Sequence, residues 1–232
     1  YVILYIWGDD HCRSVMRCRH AATHPWWNGE RGLMFHGTFW AHVEMDLDSG
    51  DLVEMENLLS TPDALYKMTD PDFMVDALKD DLMLQLYVAD SVDPSTLDLH
   101  RLSSLAEILG VEALDTTSTE SLALSSRRLR TAYGFAATRD IVKKASDFCR
   151  AKGKKLMTCI FCPIATKQLL NDQPRYDQEI ADHLAKAHAP FFDMNRVHQA
   201  DFRDFNLSVE DYMKRYFIGH YSPAGNHFFA YA

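Results

Sequence analysis

With 232 residues, 47% of them apolar and 25% charged, the chain can build one globular domain with a substantial core, or at most two small ones. A net charge of −9 argues against a nucleic-acid backbone or an anionic membrane as the main partner. No run approaches the roughly 18 apolar residues of a membrane helix, no charged-then-apolar signal opens the chain, and five cysteines without regular spacing make no disulfide framework. Reduced thiols favour a cytoplasmic setting, although the compartment is not written in the residues. Tyr1 and Ala232 both fall inside predicted elements, so the chain reads as a piece of a longer protein.

Tyr1–Trp7 is a continuous apolar run rich in β-branched and aromatic residues, which predicts a central parallel strand. Gly8-Asp9-Asp10-His11 follows it, where functional groups gather in open α/β sheets, and Ser14–Arg19 predicts a helix start. Residues 20–59 predict a β-hairpin insertion: aromatic loop at Trp26-Trp27, strand over 33–45, turn at Asp46–Gly50, return over 51–55. Alternation puts Met34, His36, Trp40, His42 and Glu44 on one face, either lining a cleft or half exposed. Ser60-Thr61-Pro62 and Asp70-Pro71 open helices, the second running to Tyr87, and Leu99–Leu109 forms another that stops at Gly110. After a serine-rich stretch, Arg127, Arg128 and Arg130 make a basic face. It reads first as solvated surface and second as a carboxylate or phosphate reader.

An amphipathic helix over 140–153 feeds a buried strand over 155–162, an αβ unit of a right-handed parallel fold. Cys159 and Cys162 have C-x-x-C spacing but lie in that strand. Core packing is the first reading and redox chemistry the second, because Pro163 follows and a helix start nearby would lower a thiol pKa. A helix over 176–188, a short strand over 190–194 and a capping box at Ser208–Asp211 complete the pattern.

At the end of the chain, Ser222 is a natural N-cap, Pro223 suits the first helical position, and Phe228, Phe229 and Tyr231 supply a docking face. His220 therefore sits in the loop before a helix start. This His-x-x-Pro-x-Gly block followed by an apolar helix resembles the last block of the SGNH (GDSL-type) hydrolases. The resemblance implies a three-layer α/β/α, flavodoxin-like parallel sheet over 1–232 as one domain, with the hairpin and helices inserted. It implies ester hydrolysis or acyl transfer through an acyl-serine, with His220 as general base and Gly8, Asp9 and Asp10 as the loop beside the oxyanion. No cofactor is implied, and the partner is a small-molecule or acylated substrate, such as a lipid or an acetylated sugar.

The chain departs from that family at three points. Asp9 stands where an Asn donor is expected, and an ionised Asp only accepts. Three accounts stay open: Asp9 is kept protonated by burial, another donor such as the Gly8 N–H or an upstream loop replaces it, or the site does different chemistry. Phe217 stands where the orienting acid usually lies, leaving Asp201, Asp204, Asp193 or a Ser-His dyad. No Gly-Asp-Ser occurs, so the nucleophilic serine is expected upstream. Two other classes compete: a metal-assisted hydrolase using Asp9, Asp10 and His11 with His20, His24, His36 and His42, whose spacing matches no fixed metal motif, and a non-catalytic carbohydrate- or protein-binding relative using Trp26-Trp27.

Overall fold

The computed structural model describes residues 1–8, 10–18, 39–187 and 190–232. The chain divides into two compact units, Tyr1–Asp10 with Arg139–Ala232, and His11–Thr138. The architecture is mixed α/β, with strands β1 (Val2–Trp7), β2 (His42–Met45), β3 (Leu52–Met55), β4 (Leu156–Phe161) and β5 (Phe191–Asp193). They form a three-stranded parallel sheet and a separate antiparallel hairpin. Among the described residues no helix is long and apolar enough to cross a membrane.

In the unit His11–Thr138, β2 and β3 form the expected hairpin, His42↔Met55 through Met45↔Leu52. The Asp46 carboxylate accepts the Asp48 N–H at 2.9 Å and shapes the turn. The helix expected from Ser14 does not form. Helix α1 (Asp10–Arg13) is a single turn, after which the Ser14 carbonyl takes the Val43 N–H at 2.9 Å and Cys18 bridges to Phe39. Residues 19–38, with positions 33–38 of the expected first strand, lie outside the described residues.

The helix expected to run to Tyr87 is two helices, α2 (Pro71–Leu78) and α3 (Leu82–Val88). Asp81 ends one and caps the other: its carboxylate accepts the Leu84 N–H at 3.0 Å and the Arg17 N–H at 3.2 Å. Helix α4 (Leu99–Leu109) stops at Gly110 as expected. Helix α5 (Thr119–Ala151) is far longer than the 140–153 segment predicted. Of the serine-rich stretch, Ser125 and Ser126 are buried in it, their hydroxyls donating to carbonyls one turn back. At Gly134 of α5 an added Cβ would meet the His11 carbonyl carbon at 2.9 Å, which explains a glycine in mid-helix.

This unit packs around Met16, Val43, Met45, Met83, Leu102 and Leu129, with Tyr133 hydroxyl accepting the Met45 N–H at 2.9 Å. Of the face expected to carry Met34, His36, Trp40, His42 and Glu44, the last three lie in the described residues and are held in polar contacts. The His42 imidazole is buried between the Trp40 carbonyl at 3.0 Å and Glu44 at 2.8 Å, and Arg17 grips the same carboxylate at 2.5 and 3.1 Å. Burial alone would raise Glu44, but His42 and Arg17 hold it down at about 2. The three arginines do not converge: Arg128 pairs with exposed Glu112, Arg130 lies over the Tyr87 ring at 4.1 Å, and Arg127 donates to the Ala123 carbonyl.

In the other unit β1, expected at the centre, lies at the edge of the described sheet with Ile3 and Tyr5 exposed, and β4 is central. It pairs with β1 from Val2↔Leu156 to Trp7↔Phe161, and with β5 from Thr158↔Phe191 to Ile160↔Asp193. After it come α6 (Pro163–Leu170), α7 (Gln178–Lys186), α8 (Met194–Phe202), α9 (Val209–Tyr216) and α10 (Pro223–Tyr231). Helix α6 packs on α8, α8 on β4, and α9 on α10. The caps at Ser208 and Ser222 form as expected, at 3.1 Å each to the Asp211 and Gly225 N–H groups. Cys159 and Cys162 are core residues. Burial pushes the Cys159 thiol up to about 11 and raises Cys162, the opposite of an activated thiol, even though α6 begins directly after Cys162.

Gly225 explains the glycine of the terminal block. A Cβ there would lie 2.3 Å from the Tyr216 carbonyl oxygen and 2.4 Å from the Tyr221 ring, so α10 can close onto α9 only with a bare backbone. Gly225→Ala should therefore cost about 3 kcal/mol by overpacking. Urea unfolding would show this as a lower midpoint at unchanged slope, and an unchanged midpoint would contradict the close approach.

Candidate functional site

Successive side chains of a strand alternate between faces, so Ile3, Tyr5 and Trp7 of β1 share one face of the sheet with Met157, Cys159 and Phe161 of β4. Trp7 and Phe161 are register partners at the carboxyl edge. The His220 ring stacks on Trp7, with centroids 5.5 Å apart and planes at 22°, and the Tyr221 ring stacks on Phe161 at 4.6 Å and 20°. The dipeptide His220-Tyr221 thus rests one ring on each strand end.

The loop that delivers these rings is tightly closed. Ile218 N–H donates to the His220 carbonyl at 2.7 Å, Phe217 and Tyr221 form a β-bridge, and Ser222 N–H returns to the Tyr216 carbonyl at 2.8 Å. The His220 ring itself is exposed, and the Trp7 stack is its one recorded side-chain contact among the described residues.

Gly8 and Asp10 lie at the end of the same strand, while Asp9 is outside the described residues. The structure corrects one expectation here. Gly8 N–H continues the sheet, donating to the Phe161 carbonyl at 3.0 Å, and is spent as an oxyanion donor. The Gly8 carbonyl accepts from the Tyr176 hydroxyl at 3.1 Å, and the Asp10 carboxylate accepts the Trp7 N–H at 2.8 Å, closing the turn. His11 hydrogen-bonds Thr138 through Nδ1 at 2.8 Å. His20, His24 and His36 lie outside the described residues, as do Trp26 and Trp27. Among the described residues no three His, Cys, Asp or Glu side chains gather as a metal site.

None of the candidate acids hydrogen-bonds the His220 ring. Asp193 caps α8 and pairs with Arg175, whose fully buried guanidinium also holds Asp177 at 2.6 and 2.8 Å. Asp204 is exposed. Asp201 accepts the Tyr212 hydroxyl at 2.8 Å and the Tyr216 hydroxyl at 3.3 Å.

Through Tyr212 that carboxylate leads to a residue the sequence did not single out. His198 on α8 is completely buried, with Nδ1 at 3.0 Å from the Tyr212 hydroxyl and Nε2 at 3.0 Å from the Tyr221 hydroxyl. Burial, and then the bond to Asp201, pushes the Tyr212 phenol far above its ordinary value, so it keeps its proton and donates it to the carboxylate. Burial likewise raises Tyr221. Nothing in the local sequence marks His198, because its partners lie 14 and 23 residues further along the chain.

A cavity of about 620 Å³ lies along the same sheet face, lined by Ile3, Tyr5, Cys159, Phe192, Tyr221 and Phe229 among others, a size typical of small-molecule sites. Asn226, in the first turn of α10, also lines it, and its side-chain amide has no recorded partner among the described residues.

Burial holds His198 down at about 4, against an ordinary 6.5. As pH falls the unfolded chain takes the proton first, so the stability contributed by the neutral ring is complete above about 6.5 and lost by about 4. A loss of about 3 kcal/mol is expected across that window. Urea titrations of the native protein and of His198→Gln should differ in pH slope there, and equal slopes would refute a neutral buried imidazole.

No family model, no curated protein and no solved structure matches this chain.

Proposed function

We propose that the chain carries the base-bearing half of an SGNH (GDSL-type) hydrolase site in a three-layer α/β arrangement, cleaving an ester or transferring an acyl group. The observation that carries this reading is His220 stacked on Trp7, beside Gly8 at the carboxyl edge of the parallel sheet. Two blocks far apart in sequence meet where open α/β sheets place their chemistry. In this reading His220 takes the proton of a serine hydroxyl as its oxygen attacks the ester carbonyl carbon. It then returns that proton to the departing alcohol, and repeats the cycle with water to release the acid. The serine comes from outside these 232 residues, in the block the family places before this strand. The Trp7 face attracts the imidazolium formed midway. The apolar cavity accepts the acyl part, and Asn226 is a free amide donor beside it.

A second reading is a non-catalytic relative that binds an apolar ligand. It is favoured by the lack of an acid on His220 among the described residues and by the lining of the cavity.

A fluorophosphonate probe applied to the full-length protein separates the two, because it modifies activated serines only. The hydrolase reading expects labelling in the native protein, its loss in His220→Ala, and a fall in ester turnover of roughly 10²–10⁴-fold in that variant. Folded proteins that both fail to label would leave the binding reading.

A further inference from the structure

We propose that His198 is a positioning residue for His220, acting through Tyr221, and the proposal rests on the reading of His220 as a base. The chain of donors has one consistent direction. Asp201, as a carboxylate, only accepts, so the Tyr212 hydroxyl gives it its proton at 2.8 Å. The His198 carbonyl, at 3.2 Å, is the more distant and uncharged acceptor, so with its proton on Asp201 the Tyr212 oxygen accepts from His198 Nδ1–H at 3.0 Å, which leaves Nε2 as a lone pair facing the Tyr221 hydroxyl, also at 3.0 Å. The imidazole tautomer is thereby assigned by the network, and only this tautomer holds the Tyr221 proton.

Tyr221 is the residue after His220. The loop between Phe217 and Tyr221 is bridged at its base, and its middle residues Ile218, Gly219 and His220 are exposed. Its inward anchors are the rings of Phe217 and Tyr221, both stacked against Phe161, and only Tyr221 adds a directional hydrogen bond. Stacking sets a plane but permits sliding, whereas the bond to a buried, doubly held imidazole fixes where the ring stops. The His220 ring, which has no acid to orient it among the described residues, inherits that position on Trp7. In a site where an ångström of misplacement costs rate, the anchor takes part of the role an orienting acid usually has.

The groups facing His198 are Tyr212 and Tyr216 from α9, Tyr221 from the loop and Asp201 through Tyr212. Phe161 from β4 and Phe228 from α10 bring no titratable group.

The test uses NMR of the histidine-labelled protein, in which the Trp7 ring current displaces the His220 signals, assigned with His220→Ala. Tyr221→Phe keeps the stacked ring and removes the hydroxyl. The displacement should collapse towards that of an unstacked imidazole. Tyr216→Phe keeps the ring beside His198 and removes a hydroxyl that bonds Asp201 and neither His198 nitrogen, and it should leave the His220 signals in place. Should Tyr221→Phe fail to fold, His198→Gln must show the same collapse. The proposal is overturned if the His220 signals ignore the loss of the anchor, or if Tyr216→Phe moves them equally. In the full-length protein Tyr221→Phe should lower ester kcat roughly ten- to a hundredfold with KM unchanged. A native protein with no turnover would sink the hydrolase reading, while the NMR arm would still decide the positioning.

Discussion

The parallel pairing of β1 with β4 is the constraint on which the site depends. It places Trp7 and Phe161 side by side on one face, and these two rings form the floor on which His220 and Tyr221 lie. A slip of one residue in this register would send Trp7 to the opposite face and leave His220 without its platform. The same pairing consumes the Gly8 N–H and so decides which backbone donors remain at the strand end.

Buried polar groups reinforce this edge rather than the apolar centre. Arg175 joins Asp177 to Asp193, and Tyr176, next to it, reaches the Gly8 carbonyl. Asn195 at the start of α8 accepts from the Cys162 N–H and the Thr166 hydroxyl, both at 2.9 Å, tying α6 and α8 to the end of β4. Removing one partner from such an arrangement strands a buried polar group, so each acts as a positional device whose geometry tolerates little drift. The Arg17–Glu44–His42 cluster follows the same logic in its own unit, tying β2 to the turn that follows α1.

The aromatic cage around His198 has a different character. Tyr212, Tyr216, Phe217, Tyr221 and Phe228 all contact the imidazole, so the ring pays the full cost of losing water unless it stays neutral. Neutrality leaves one nitrogen as an acceptor, and that acceptor faces the residue beside His220. Packing and polarity thus converge on one loop conformation.

Short-range features were legible in the residues. The caps at Ser208 and Ser222, the Gly110 stop, the Asp46 turn and the runs of β1 and β4 all depend on neighbours within a few positions, so their patterns survive in a linear reading. The features misread depend on distant partners. Asp81 splits a helix and shares its carboxylate with the backbone N–H of Arg17, α5 runs from Thr119 with Leu122 and Leu129 in the core, and Ser14 pairs with β2 instead of starting a helix. For the site, His220 was visible through its block and its cap. Its seat on Trp7, the spent Gly8 N–H and the whole of the His198 chain came from tertiary contacts. Local pattern sets which backbone conformations are cheap, while hydrogen-bond partners and burial are set by which segments the fold brings together.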